Sequence, residues 1–255
     1  MTKNNWRQVL ICASLLLLIQ VVGYSQKIKN GYDLIKAVYN KYHHTAARNI
    51  TFQQDTKFYK KDGSIARTQT WYEAIQAPGK LHIRMGDYDK GNGALYLDNQ
   101  LYRIKEGKVV SQKEQYNELM VLATDMFFRK PEETAKIVEK LGFDLSKMHI
   151  SEENSRKVYV IGSATKDDLK ANQFWFDAER LYFTRMYLKK PNYTIEVKFG
   201  DHRKLGNGWM ETTVTVLIND QLYMSEHYSK VKAQPTLNSD IFNPEKFGKV
   251  NWNYK

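Results

Sequence analysis

The sequence predicts a mainly β protein with some α-helix: a strongly curved antiparallel sheet, or incomplete β-barrel, covered by an N-terminal helix and a mid-chain pair of helices. Long stretches alternate apolar and polar residues with period two and are separated by short turns. Only the segments 30–48 and 114–142 have helical spacing. Roughly a dozen strands at ~4.8 Å would span about 55 Å if flat, whereas three helices cover about 30 Å, so we expect the sheet to curl.

The first 25 residues have the composition of a secretory signal peptide. Two basic residues precede an apolar stretch over residues 9–22, and Gly23-Tyr24-Ser25 follows it. The stretch is shorter than the ~20 apolar residues that span a bilayer, which makes an uncleaved anchor the weaker interpretation. We expect cleavage after Ser25, so that residues 26–255 form a single domain in the periplasm, soluble or peripherally associated with a membrane.

Cysteine content and charge exclude several classes of function. Cys12 is the only cysteine and lies inside the apolar stretch, so the mature chain would have no disulfide, thiol nucleophile or zinc–thiolate site. The formal net charge is +11, and removing Lys3 and Arg7 with the leader leaves +9. For an exported protein this favours anionic membrane surfaces or acidic partners over nucleic acid, with plain solubility as the simpler explanation.

The first element after the leader is predicted to be a helix over Asn30–Arg48. Leu34, Val38 and Tyr42 recur every four residues and would share one face. After Arg48 the period changes from that of a helix to that of a strand.

The first group of strands begins with the clearest alternation in this half of the chain. Phe52, Gln54, Thr56 and Phe58 alternate with polar neighbours, and Lys60–Gly63 forms the turn. Further strands are predicted over residues 65–75 and 81–85 and in two short hairpins, with breaks at Pro78-Gly79, Gly91–Gly93, Asp98-Asn99 and Glu106-Gly107.

The mid-chain segment 114–142 is predicted to form two consecutive helices. In the first, over residues 115–128, Leu119, Leu122 and Met126 lie on one stripe. The second begins at Pro131, which suits a first helical turn, and ends at Gly142, which tolerates a left-handed exit.

Alternation then resumes in a second group of strands. These are predicted at residues 158–161, 173–176, 193–199, 210–218 and 222–231, with a turn at 206–208 and a tail from 241 to 244 that leaves the sheet. The acidic pairs Glu152-Glu153 and Asp167-Asp168 are interpreted as solvated loops rather than catalytic dyads.

No arrangement of residues predicts catalysis, a cofactor or a metal site. The histidines have neither HExxH nor paired metal-ligand spacing, and we expect most of them at the surface or at interfaces. Serines such as Ser163 and Ser225 lack the context of a nucleophile elbow, and the glycines at 91 and 93 lack that of a phosphate loop. The histidines are His43, His44, His82, His149, His202 and His227.

Apolar surface is the more conspicuous feature. The chain has 17 Tyr, 11 Phe, 5 Trp and 8 Met, a content that suits either an ordinary core or a pliable pocket for acyl chains. Polar side chains interrupt the predicted inner faces at Gln54, Thr56 and Thr212, which a dry core would tolerate poorly. This observation favours a pocket.

The order of elements resembles the LolA/LolB-like superfamily of periplasmic lipoprotein carriers. The resemblance is carried by the first helix, the mid-chain helices and four short segments: TFQQ at 51–54, PGKLHIR at 78–84, QFWFDAERL at 173–181 and DIFNP at 240–244. It implies an incomplete barrel whose hollow receives lipoprotein acyl chains beneath a helical lid. The lid would then be Leu119, Leu122, Met126, Phe127 and Val138, and the wall would include Phe52, Phe58, Trp71, Leu81, Ile83 and Met85.

The resemblance also implies a basic residue that tethers the lid in the empty state, for which Arg67 and Arg84 are the candidates. The expected function is that of a monomeric carrier of lipoprotein acyl chains or another lipid, with an inner-membrane donor and an outer-membrane acceptor. The alternative is an envelope sensor or interaction module with a filled interior, and an enzyme is the least favoured hypothesis. Whether the helical pair moves or is a fixed plug stays open at this point.

Overall fold

The computed structural model of the protein describes residues 27–166, 168 and 171–252. The predicted signal peptide, including Cys12 and the expected cleavage site, lies outside these residues. None of the helices in the described part is long and apolar enough to cross a membrane.

The described residues form three α-helices and fifteen β-strands. The helices are α1 (Gly31–Tyr42), α2 (Glu118–Ala123) and α3 (Pro131–Lys140). The strands before α2 are β1 (Asn49–Tyr59), β2 (Ile65–Gln76), β3 (Lys80–Met85), β4 (Gly93–Leu97), β5 (Gln100–Lys105) and β6 (Lys108–Glu114). Those after α3 are β7 (Met148–Glu153), β8 (Arg156–Ile161), β9 (Gln173–Asp177), β10 (Phe183–Lys189), β11 (Thr194–Gly200), β12 (Arg203–Leu205), β13 (Gly208–Met210), β14 (Thr213–Ile218) and β15 (Gln221–Gln234).

Thirteen of these strands make one curved antiparallel sheet that does not close into a barrel, which confirms the predicted fold class. Their order is β6-β5-β4-β3-β2-β1-β15-β14-β11-β10-β9-β8-β7, and β12 and β13 form a separate hairpin. At the centre, β1 pairs with β2 on one side and β15 on the other, and Gln54 lies opposite both Trp71 and Tyr228.

The helical segment between residues 115 and 142, which we call the cover, connects the two edges of this sheet. It leaves the edge strand β6 at Glu114 and leads to the other edge strand, β7, at Met148. The cover therefore bridges the opening of the incomplete barrel.

The first helix is shorter than predicted. Asn30 caps its start, because its side-chain oxygen accepts a hydrogen bond of 2.9 Å from the backbone N–H of Asp33. The helix ends at Tyr42 rather than Arg48, since Ala46 already forms a β-bridge with Gly206 and draws the chain out of helical geometry.

The first helix of the cover is also shorter than predicted. Six residues form α2, the helix breaks at Thr124, and a single 3₁₀ turn follows over Asp125–Phe127. The break has a structural reason: the Asp125 carboxylate accepts a hydrogen bond of 2.9 Å from the backbone N–H of Gly79, which ties this point of the cover to the turn between β2 and β3. The second helix, α3, begins at Pro131 as predicted.

Two strands that the sequence did not predict complete the sheet. Edge strand β7 contains Glu152 and Glu153, so the interpretation of this pair as a loop was wrong. In β10 the alternation is interrupted by a register shift between Phe183 and Arg185, which hides the period of two.

The C-terminal segment 237–252 packs on the outer face of the sheet. It forms a second, smaller core with residues of β2 to β5, separate from the core beneath the helices. His82 is fully buried there, stacks on Phe247 at 4.1 Å and contacts the backbone carbonyl of Ile241 through Nδ1. Burial lowers the pKa of His82 to about 3, so this histidine is a core residue and not one of the surface histidines expected.

Candidate functional site

A cavity of about 270 Å³ lies between the inner face of the sheet and α2. Its wall is formed mainly by inward-facing side chains of β1 to β5 and β15, and α2 contributes Leu119, Met120 and Ala123. The volume is just below the roughly 300–1,000 Å³ of typical small-molecule sites. The cavity can therefore hold one small ligand or one chain segment in this conformation.

Six of the eleven residues predicted to bind a ligand line this cavity. Five of them lie on the sheet and one on α2, and they are Phe52, Trp71, Leu81, Ile83, Met85 and Leu119. The alternation of β3 explains three of them, because residues at i, i+2 and i+4 of a strand share one face.

The other five predicted residues lie outside the cavity wall. Leu122, Met126 and Val138 are fully buried in the main core, and the ring of Phe127 packs on that of Tyr42 in α1 with centroids 4.8 Å apart. Phe58 lies near the end of β1, where its ring contacts those of Trp71 and Tyr223.

The cover therefore divides into two parts with different packing. The 3₁₀ turn and α3 pack against α1, whereas α2 faces the cavity. Leu119 and Ala123 of α2 are only half-buried, and its start is held by Asn117, whose side-chain oxygen accepts hydrogen bonds from the N–H groups of Leu119 and Met120 at 3.0 and 3.1 Å.

Arg129, a basic residue that the sequence did not single out, also ties the cover to the sheet. Its guanidinium lies 3.3 Å from the carboxylate of Asp98, in the turn between β4 and β5, and 3.7 Å from that of Asp125. Burial raises the pKa of Asp125 to about 6, although Gly79 and Arg129 both favour its ionised form.

Neither arginine considered as a tether reaches the cover. Arg84 lies on the outer face of the sheet, where it is fully buried and donates hydrogen bonds to the Val250 carbonyl and the Asn251 side chain. Arg67 is exposed on β2, with its guanidinium 4.0 Å from the ring of Phe58.

Three carboxylates share the cavity, and sequence reasoning missed them. Glu73 on β2, Glu226 on β15 and Glu211 in the connection between β13 and β14 all line it. Glu73 is 6 % exposed, and the other two are half-buried. Alternation gave a signal for Glu73, which lies between the inward-facing Trp71 and Ile75, but Glu211 lies outside regular structure and gave none.

The electrostatics of the cavity favour the protonated form of these groups. Burial is the main cause, and it raises the pKa values of Glu211 and Glu226 to about 7. The pKa of Glu73 is raised well above its ordinary value by burial and by the negative charges of Glu226 and Glu211. The hydroxyl of Tyr228 opposes the shift at Glu226, to which it donates a hydrogen bond of 2.8 Å.

The wall of the cavity offers contacts for binding. Its aromatic residues include Phe52 and Tyr228, whose rings lie 4.6 Å apart, and the buried Gln54 donates a hydrogen bond of 2.9 Å to Thr56. The cavity wall includes no serine, cysteine, histidine or lysine among the described residues. No group of three or more His, Cys, Asp or Glu residues in the described part of the chain is arranged to hold a metal ion.

Comparison with solved structures finds the same architecture. A DUF1329 family protein from Desulfovibrio piger superposes with a TM-score of 0.55 at 14% identity, over 85% of this chain and 97% of that one. A candidate outer membrane lipoprotein-sorting protein domain from Vibrio parahaemolyticus gives 0.56 at 13% identity, over 86% and 98%. A LolA superfamily protein from Nitrosomonas europaea gives 0.53 at 8% identity, over 82% and 97%.

Comparison of sequences finds no match, in contrast to comparison of structures. No family model matches the chain, and no curated protein matches it. At these identities the structural likeness establishes architecture, and it extends over nearly the whole length of each neighbour. The chain has the LolA-like fold, as its sequence predicted.

Proposed function

We propose that this protein is a periplasmic carrier that binds a lipoprotein acyl chain, or another lipid, in its cavity and hands it towards the outer membrane. The observation that carries the proposal is the open apolar cavity between the sheet and α2. Each methylene group moved from water into such a cavity contributes ~0.8 kcal/mol, so a few carbons give useful affinity without covalent chemistry.

The fold of the neighbours supports this proposal in a general way. One of the three structures is described as a lipoprotein-sorting domain and another as a LolA superfamily protein, and none of the three is described as an enzyme. The predicted signal peptide would place the carrier in the periplasm. The donor in the inner membrane and the acceptor in the outer membrane belong to the same proposal.

The alternative, an interaction module that recognises protein partners without a lipid cargo, predicted a filled interior. The cavity speaks against that prediction, because a module that uses only its outer surface needs no space beneath α2. The carrier is therefore the function that the geometry supports best.

The experiment is lipid binding by the protein purified without its first 25 residues. Mass spectrometry of organic extracts would identify lipid that copurifies, and the uncharged fluorophore N-phenyl-1-naphthylamine would report an accessible apolar cavity. Leu119→Glu places a charge on the cavity side of α2 and is expected to abolish binding. Leu222→Glu, at a position 37% exposed on β15, is the matched control and is expected to bind normally.

Two results would overturn the proposal. One is the absence of both copurified lipid and fluorophore binding in a folded protein. The other is equal fluorophore binding by the Leu119→Glu and Leu222→Glu variants, because the fluorophore would then bind elsewhere.

A further inference from the structure

Glu73 is a buried carboxylate that points into the cavity without a partner. Among the described residues, no hydrogen bond or ion pair reaches its carboxylate, although 94% of the residue is removed from solvent. Its titratable neighbours are Glu211 and Glu226, whose ionised forms carry the same sign as its own. An uncompensated carboxylate in such a place lowers stability, and a binding site is the common reason for keeping one.

Aromatic rings face the same space. Phe52, Trp71, Tyr96 and Tyr228 all line the cavity together with Glu73. The faces of such rings carry partial negative charge and attract cations, and aromatic side chains beside a carboxylate are a recurring arrangement around ammonium groups. Two independent features of the wall, acidic groups and rings, therefore favour the same kind of ligand group.

We propose that the cavity selects an amphiphile whose polar end carries a positively charged amino group, with this group held by Glu73 and Glu226 and the hydrocarbon part against the apolar wall. The inference rests on the proposed function, because it specifies the cargo of the same cavity. A cation would provide the missing partner of Glu73, and charge-assisted hydrogen bonds to carboxylates are about twice as strong as neutral ones.

All charged and titratable groups around the cavity bear on this selectivity. Arg103 is the only cationic side chain on the described wall, and it is exposed on β5 at the periphery, whereas Glu118 lies on α2. The remaining titratable groups are the hydroxyls of Tyr96 and Tyr228 and the carboxylates of Glu73, Glu211 and Glu226. A fatty acid or phosphate placed deep in the cavity would bring no cation to these carboxyl groups, and its charge would repel each of them that is ionised.

The test compares three ten-carbon compounds that differ only in their polar end group, which is cationic, neutral or anionic. Decylamine, decanol and decanoate would each displace N-phenyl-1-naphthylamine from the protein at about pH 8, where an alkylamine is still protonated. We expect decylamine to bind at least about tenfold more tightly than decanol, and decanoate to bind most weakly. Equal affinity for decylamine and decanol, or tighter binding of decanoate, would overturn the inference.

The variants separate this inference from the proposed function. Glu73→Gln keeps the shape and removes the charge, so it is expected to keep decanol binding and to lose most of the preference for decylamine. Glu152→Gln, on the exposed edge strand β7, is the control and is expected to keep the full preference. If decanol and the fluorophore fail to bind as well, the proposed function fails; if they bind and Glu73→Gln leaves the preference unchanged, the inference alone fails.

Discussion

The two halves of the sheet have the same strand pattern but differ in what lies on their inner face. Over β9 to β11 the space is filled by phenylalanines in successive ring contacts, with centroid distances of 4.7–5.9 Å along the series Phe143, Phe174, Phe176, Phe183 and Phe199. Over β1 to β5 the inner side chains leave the cavity open. Alternation decides which residues face inward, and their size together with the helix above decides whether the space is filled.

Helix length accounts for much of the difference. Six helical residues at 1.5 Å each make α2 about 9 Å long, which is about two strand spacings, so α2 cannot cover five strands. The other two helices have 12 and 10 residues and pack against each other. The shorter helix therefore lies over the cavity, and the longer ones form the closed core.

The two halves of the sheet also differ in whether their carboxyl groups are paired with a cation. In the filled half, Arg185 forms ion pairs with Glu153 and Glu196 on the outer face of the sheet. Its guanidinium lies 3.1 Å from the carboxylate of Glu196. In the open half, Glu73 and Glu211 face the cavity without such a cation. The filled half pairs its buried carboxylates with a cation, whereas the open half leaves its carboxyl groups without one, and burial favours their neutral form.

The largest expected effect comes from truncating a ring in each half. Phe176→Ala removes a fully buried ring from the filled half and is expected to lower the free energy of unfolding by about 3–5 kcal/mol. Phe52→Ala enlarges a space that already exists. Its loss of unfolding free energy is expected to be smaller than that of Phe176→Ala by at least about 1 kcal/mol. Urea unfolding measures both, and equal losses would contradict the distinction between the two halves.

The next effect is pH-dependent and comes from Glu211. Its pKa is about 7 in the folded protein against an ordinary value of 4.5, so the unfolded chain releases this proton first as the pH rises. Its contribution to stability is fully present below about pH 4.5, falls between that pH and about 7, and is constant above.

Glu211→Gln is therefore expected to raise the free energy of unfolding at pH 8 by about 1–3 kcal/mol and to leave it nearly unchanged at pH 4.5. Urea unfolding at the two pH values measures the difference, with Glu152→Gln as the control. A stabilisation of the same size at both pH values would show that burial of the charge is not its cause.

An effect of similar size is expected where the cover joins the sheet. Asp125→Ala leaves the N–H of Gly79 without its acceptor and is expected to cost about 1–3 kcal/mol. Asp125→Asn keeps an acceptor and removes a charge whose pKa burial has raised, so it is expected to be close to neutral.

Hydrogen exchange of the α2 amides tests whether the contact between Asp125 and Gly79 also holds α2 over the cavity. Exchange is expected to be faster in the Asp125→Ala variant than in the unaltered protein or in Asp125→Asn. Unchanged exchange in all three would mean that this contact does not hold α2 over the cavity.

The smallest effect is expected at the surface ion pair between Lys140 of α3 and Glu114 of β6. The two charged atoms are 2.7 Å apart, but both side chains are more than half exposed, and such pairs contribute little to stability. Glu114→Gln is expected to leave the unfolding midpoint and decanol binding unchanged. A clear loss of either would assign this pair a role in closing the cover.

The fold could be predicted because its signals are local. Period-two alternation, turn residues such as Gly91, and the cap at Asn30 each act within a few residues, so the sequence shows them directly. The strands that were missed, β7 and β10, are an edge strand and a strand with an irregular register, where local alternation is weak.

The site was only partly predictable because it depends on contacts between distant segments. The inward faces of β1 to β3 follow from alternation, and five of the six residues predicted on these strands line the cavity, Phe58 being the exception. The division of the cover could not be foreseen, since it depends on the contact of Asp125 with Gly79, 46 residues earlier in the chain. The meeting of Glu73, Glu211 and Glu226 likewise requires the pairing of β1 with β15.

If the cover of the proposed carrier moves aside for its cargo, its course from β6 to β7 makes it an intramolecular competitor of that cargo. Held at both ends by the sheet, α2 would then return to the cavity at a high effective concentration that does not depend on the amount of protein in solution. Such a cargo would have to outcompete a tethered helix as well as water, so its residence time would be set within a single molecule. Lengthening the chain at residues 115–117 would lower this effective concentration and prolong occupancy of the cavity by the cargo. Asn117 is the only residue of the cavity wall in that stretch.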